Sequence, residues 1–162
     1  MSLVAIIRVI AILSCGLSTG ILFGDRMGAT FARPAMSPPE FIRYNKIVHS
    51  YFGRMMPVLT LTGVASGLVW LILARAQWNS APFGLLAIAT FAMFLAVAMT
   101  VTVNIPINKQ LEKWSEASPP ANMREIWSRW ERIHTIRTIL WMGAFVLESV
   151  AFGALGSLQA AG

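Results

Sequence analysis

Four apolar runs, at about residues 3–24, 55–74, 83–105 and 137–158, are each long enough to cross the ~30 Å hydrocarbon core of a bilayer as a helix. This feature decides more than any other, because a backbone in hydrocarbon must satisfy its own N–H and C=O groups, and a helix does so within one segment. The expectation is an all-α, integral membrane four-helix bundle forming one domain over residues 1–162, with the last helix extended into the cytoplasm. Composition agrees: 56% of residues are hydrophobic and 12% charged, too apolar for an ordinary soluble domain. The formal net charge of +6 comes from basic residues beside the apolar runs, with no stripe of bases and stacking aromatics, so lipid headgroups are the expected partner and nucleic acid is not.

Between the spans lie polar segments with their own periodicity. Residues 40–54 and 122–136 read as amphipathic helices leading into the second and fourth spans, and Pro57 stands where the first of these enters the membrane. Gly16, Gly20 and Gly24 form a double G-x-x-x-G in the first span, and Gly63 and Gly67 repeat the spacing in the second. Such strips let helices approach closely, and the plain expectation is a contact between spans one and two, with a homodimer seam as the rival use. Cys15 lies inside an apolar run and reads as a core residue; bulky Leu13, two positions before it, does not suit a lipoprotein cleavage box. The third span ends in V-N-I-P-I-N, Val103 to Asn108, where Pro106 deprives the Thr102 carbonyl of its helical partner. Thr100, Asn104, Asn108 and Glu112 follow at i+4 intervals as a polar stripe.

From Trp127 to Glu148 a polar helix runs into an apolar one with no breaker between them. At 100° per residue, Trp130, His134, Arg137, Trp141 and Glu148 share one face, and ionisable groups at membrane depth turn toward a bundle interior or a wet cavity. Counting Lys and Arg puts Arg26, Arg33, Arg43, Lys46 and Arg54 in the first loop and most of the rest around the third. The positive-inside rule then makes loops 25–54 and 107–136 cytoplasmic, with both termini outside a bacterial-type cytoplasmic membrane. Asp25, His49, Asn104, Asn108, His134 and Arg137 consequently gather at one level, contributed by all four helices. That convergence predicts one cavity lined by these residues near the cytoplasmic interface.

Each residue also has a plainer role. A boundary histidine such as His49 can be an interfacial hydrogen-bonder, Arg137 a topogenic charge, Asn104 and Asn108 interhelical glue, and the tryptophans an interfacial belt. No H-E-x-x-H, C-x-x-C, P-loop, G-x-S-x-G or dinucleotide fingerprint is present. His49 and His134 could hold a metal ion, although their spacing carries no metal signature; no organic cofactor is expected.

V-N-I-P-I-N followed by W-x-x-W-E-R-I-H-T-I-R-T, over Val103 to Trp141, resembles the anthrone oxygenase-like membrane proteins. The resemblance implies a four-helix membrane protein with fungal relatives that oxidise phenolic anthrones to anthraquinones with molecular oxygen and without an evident organic cofactor. Its motif residues are Asn104, Pro106, Asn108, Trp130, His134 and Arg137; His49 and Glu148 match no part of the pattern. The chemistry to expect is proton abstraction by His134, stabilisation of the resulting enolate by Arg137, stacking of apolar aromatic rings on Trp130 and Trp141, and reaction with oxygen, with Asn104 and Asn108 orienting the substrate oxygens.

The rival is a non-enzymatic membrane protein, a proton-coupled transporter or a partner-stabilising subunit. It draws on Glu148, which sits near mid-membrane, where an unpaired carboxylate is costly. Arg8 lies at a depth from which its side chain could reach Glu148, which predicts an Arg8–Glu148 ion pair; the alternative is a neutral Glu148 bonded to Ser14 or Ser66 with Arg8 at the headgroups.

Overall fold

The computed structural model describes residues 2–160, with side chains to residue 154. Four long helices make up the molecule: α1 (Leu3–Met27), α2 (Pro38–Leu73), α3 (Ala81–Lys113) and α4 (Met123–Ala160). All four are long and apolar enough to cross a membrane. The helices pack as one all-α bundle in which α1 and α3 both border α4, and α2 packs on α1 and α3. Leu13, Leu17, Val58, Ile72, Phe91, Phe94, Ile139 and Val146 stand exposed on the outside, the arrangement of a bundle surrounded by hydrocarbon.

Local chemistry explains where each helix begins. Ser2 caps α1 by accepting from the Ala5 amide at 3.2 Å, and Ser80 caps α3 by accepting from Phe83. In α2, Ser37 and Glu40 form a capping box with Pro38 at the first helical position, so the amphipathic segment and the apolar span become a single helix. Pro57 lies inside that helix, and its missing N–H leaves the Gly53 carbonyl without its partner four residues on. In α3 the break expected at Pro106 is absorbed: residues Thr100–Asn104 form a π turn, in which the Ile105 amide bonds to the Thr100 carbonyl five residues back. The helix therefore continues to Lys113 instead of ending near residue 105. A π turn inserts one extra residue and turns the following side chains relative to the preceding ones.

Three apolar layers fill the bundle. One end is aromatic, with Phe41, Trp114, Trp127 and Trp130; the middle holds Cys15, Leu22, Met93, Trp141 and Ala144; the other end holds Ala11, Trp70, Leu86 and Ala151. The glycine strips do not join α1 to α2 as expected. A β-carbon on Gly16 would stand 2.9 Å from Phe145 of α4, and Gly20 and Gly24 face open space. On α2, Gly63 receives the Trp141 ring and Gly67 receives Thr90, Met93 and Glu148, so this strip admits side chains of α3 and α4 instead of another glycine backbone. The reason is steric: the large partners Trp141 and Met93 need the volume that the missing side chains leave.

A Gly67→Val substitution should therefore lower the thermal midpoint in detergent, with an overpacking penalty of ~1–3 kcal/mol, since its β-carbon would lie 3.1 Å from both Thr90 Oγ1 and Met93 Cε. Gly20→Val should leave the midpoint within the small range of surface changes, ~0.5 kcal/mol. Thermal unfolding of both variants checks the assignment, and a larger loss at Gly20 would overturn it.

Candidate functional site

The site is built around a residue that the sequence pattern does not single out. Arg33 opens the short 3-10 turn Arg33–Ala35 between α1 and α2 and is 1% exposed. Its guanidinium forks onto Asp25, at 2.7 Å to Oδ1 and 3.1 Å to Oδ2, while its Nε donates to Asn45 Oδ1 at 3.1 Å. The Asn45 amide is oriented by its own bond to the Phe41 carbonyl, which turns Oδ1 toward the arginine. A planar fork matched to a carboxylate is the strong form of ion pair, and here it ties the end of α1 to α2. Glu131 of α4 lies 4.0 Å from the same guanidinium.

Asp25 extends this unit to α4. Its Oδ2 lies 3.2 Å from His134 Nε2, a charge contact too bent to count as a hydrogen bond, and His134 Nδ1 is buried with no hydrogen-bond partner. A carboxylate beside Nε2 favours a proton on that nitrogen, the tautomer in which Nδ1 carries the lone pair. Spacings of three and four residues stack Trp127, Trp130 and His134 along one face of α4. The indoles lie 4.5 Å apart at 12°, and the imidazole lies 4.8 Å from Trp130 at 18°. The Arg33 guanidinium stands 5.4 and 5.5 Å from the two indole centroids, close enough for cation–π attraction.

The π turn of α3 supplies the opposite wall. Asn104 is 1% exposed and holds two partners: Nδ2 donates to the Trp130 carbonyl at 3.2 Å, and Oδ1 accepts from Arg137 Nη1 at 3.1 Å. Asn108, one turn on, accepts from Trp130 Nε1 at 2.7 Å. Arg137 is 6% exposed, its Nε has no partner, and no carboxylate is paired with it among the described residues. A buried cation without a counter-ion is costly, and the site is correspondingly prepared for an anionic group.

These residues surround a cavity of about 360 Å³, within the ~300–1,000 Å³ range of small-molecule sites. Asp25, His49, Asn104, Asn108, Trp130, His134 and Arg137 all line it, as does Arg33. His49 is half-buried, with its ring 6.0 Å from that of Trp130. Among the described residues no three His, Cys, Asp or Glu side chains converge as a metal site.

Three expected roles are not met by the geometry. Trp141 does not line the cavity; it is 0% exposed in the middle apolar layer, with its ring seated on Gly63. The Arg8–Glu148 pair does not form. The Arg8 guanidinium donates to the Phe152 carbonyl, one turn beyond Glu148, and packs against the Trp70 and Phe152 rings. Glu148 is 0% exposed, beside Gly67, with neither oxygen hydrogen-bonded among the described residues; Ser66 donates to its own helix at Thr62, so the serine alternative is not formed there either. Arg33 and Glu131 are the residues sequence reasoning missed, whereas Asn45 shares a helix face with His49 four residues on and is legible there. Asp25 and Arg33 lie on either side of a turn, where neither helical nor strand period links them.

Fold and cavity together define an integral membrane helical bundle with a ligand-sized cavity walled by aromatic, cationic and amide groups. The anthrone oxygenase family model matches residues 48–147, and the chain belongs to that family. No curated protein and no solved structure matches the chain. The matched stretch contains His49, Asn104, Asn108, Trp130, His134 and Arg137, whereas Asp25, Arg33 and Asn45 precede it.

Arg33→Met should leave the largely buried Asp25 carboxylate without its guanidinium partner and lower stability by ~3–5 kcal/mol. Adding Asp25→Asn to Arg33→Met should recover part of that loss, because the orphaned charge is removed. A double-mutant cycle on thermal or denaturant unfolding measures the coupling, and strictly additive losses would show that the pair is not the brace described above.

Proposed function

We propose that this protein is a membrane-embedded oxygenase that takes an apolar aromatic substrate of anthrone, phenol or quinol type together with molecular oxygen. The observation that carries the reading is Arg137, a buried guanidinium with no carboxylate partner among the described residues, one helical turn from a histidine with a free lone pair. A substrate that becomes an oxyanion when it loses a proton suits such a pair, because the charge develops where the cation already stands.

The reaction follows in balanced steps. His134 Nδ1 removes a proton from the ring methylene that lies across the central ring from the substrate carbonyl, and the C–H electron pair passes through the conjugated rings into an enolate whose oxygen sits against Arg137. Dioxygen takes one electron from the enolate, the two radicals recombine to form the C–O bond, and the imidazolium proton goes to the distal oxygen, giving a hydroperoxide. The imidazole then removes the second proton from that carbon as the O–O bond breaks; a carbonyl forms, and the departing hydroxide takes the proton as water. The sum is CH2 plus O2 giving C=O plus H2O. Asp25, held by Arg33, braces the imidazole on its Nε2 side and leaves Nδ1 for the substrate. His49 offers a flat face to the rings, Trp130, stacked between Trp127 and His134, presents its edge, and Asn104 and Asn108 supply amide groups to the substrate oxygens.

The basic loops 25–54 and 107–136 support an orientation with the cavity end at the cytoplasmic face and both termini outside. The transport alternative requires a polar path from Asn108 past Glu148. Trp141 and Met93, both 0% exposed, fill the apolar layer between, which weighs against it.

With 1,8-dihydroxyanthrone as substrate, the protein purified into lipid nanodiscs should consume one dioxygen per quinone formed. His134→Ala should slow oxygen uptake by ~10²–10⁴-fold, the usual worth of a positioned general base. A rate equal to the wild-type rate would remove His134 from this role, and a wild-type protein that takes up no oxygen would remove the activity.

A further inference from the structure

The cavity is a slot, and its shape narrows the class of substrate beyond the reading above. Along α2 it runs from Val48 to Leu61, about 20 Å, and along α3 from Val97 to Asn108, about 16 Å, whereas α4 borders it only from Trp130 to Arg137, about 10 Å. Every charged or amide group lies toward one end. At the other, Thr60 and Thr100 turn their hydroxyls back onto the Met56 and Ala96 carbonyls, leaving a wall of methyl and aliphatic groups with Ile21 and Val97.

The side of the slot is open. Gly53, Pro57 and Leu61 of α2, and Val101 and Ile105 of α3, line the cavity and are also exposed on the bundle surface. Leu61 and Val101 are each 56% exposed. The mouth therefore lies between α2 and α3, along stretches flanked by Pro57 in one helix and by the π turn and Pro106 in the other. Its rim is entirely apolar, and in a bilayer it faces acyl chains.

We propose that the site takes a membrane-dissolved amphiphile, a flat phenolic aryl-ketone head carrying a long apolar tail, with the head among Arg137, Asn104 and Trp130 and the tail leaving through the α2–α3 mouth into the bilayer. For the fate of the head this rests on the oxygenase reading; the tail route rests on the slot and its rim. A ligand already dissolved in lipid reaches the site sideways without crossing water, and its tail need not leave hydrocarbon.

Two air-stable probes test this in nanodiscs, 2-methyl-1,4-naphthoquinone and 2-decyl-1,4-naphthoquinone, each titrated by quenching of tryptophan emission against empty nanodiscs, with affinities expressed per mole of lipid. The wild-type protein should bind both within about threefold, since the tail passes through an open mouth. The rim variant Gly53→Phe/Val101→Phe should weaken the decyl probe by at least ~10-fold, a steric penalty of the usual overpacking size, and leave the methyl probe within about twofold, which also reports that the variant is folded. Exclusion of the decyl probe by the wild type, equal losses for both probes, or no loss for either would overturn the proposal. Oxygen uptake with 1,8-dihydroxyanthrone separates the two ideas. An inert wild type that shows the tail-selective loss keeps the slot and removes the oxygenation; an active wild type without that loss does the reverse.

Discussion

A guanidinium can be buried in an apolar bundle only if its donors are taken up, and the way Arg33 meets that demand sets the geometry of the whole cavity end. Its fork fixes Asp25 at the close of α1, its Nε fixes Asn45 in α2, and through Asp25 the arrangement reaches His134 in α4. Three helices are thereby registered against one another at the same level. The indole stack of Trp127 and Trp130 covers the guanidinium from the side, so the ion pair works in a low dielectric where its geometry matters more than it would at a surface. Helix packing in hydrocarbon has little hydrophobic drive of its own, which gives such polar joints unusual weight in choosing one arrangement.

The fourth helix of the joint, α3, is brought in by a defect. A regular helix through Pro106 would lose a hydrogen bond and clash, and the π turn passes the proline by letting the ladder slip one residue. The side chain delivered at that slip is Asn104, whose two ends engage the Trp130 carbonyl and the Arg137 guanidinium. Irregular backbone at membrane depth is tolerated where it lines a cavity, and this one does. Pro57 in α2 lines the facing side. The prolines and the polar groups are thus parts of one construction, in which helix irregularity makes the space and buried charge makes it selective.

The remaining buried charges follow different rules. Arg8 donates to the backbone carbonyl of Phe152 and packs against two aromatic faces near a helix end. Glu148 occupies the gap at Gly67 in the apolar interior of the bundle. Depth along the helices placed these residues near each other in projection, but rotation of α1 about its axis decides which way an arginine points, and no sequence period specifies that rotation.

The sequence by itself determined the number of spans, the all-helical class, the inward face of α4 and the family motif, because membrane length and a 3.6-residue period are local properties that survive any choice of packing. It also determined the gathering of Asp25, His49, Asn104, Asn108, His134 and Arg137, since residues at one depth in a small bundle have few places to go. Only the tertiary structure decided the rest: that Arg33 braces Asp25, that Trp141 packs on Gly63 and does not line the cavity, that the glycine strips of α1 and α2 do not meet, and that the cavity opens between α2 and α3. Each of these depends on helix rotation and pairing, which are set by the summed fit of large side chains and buried hydrogen bonds across the bundle, and no stretch of chain carries that information alone.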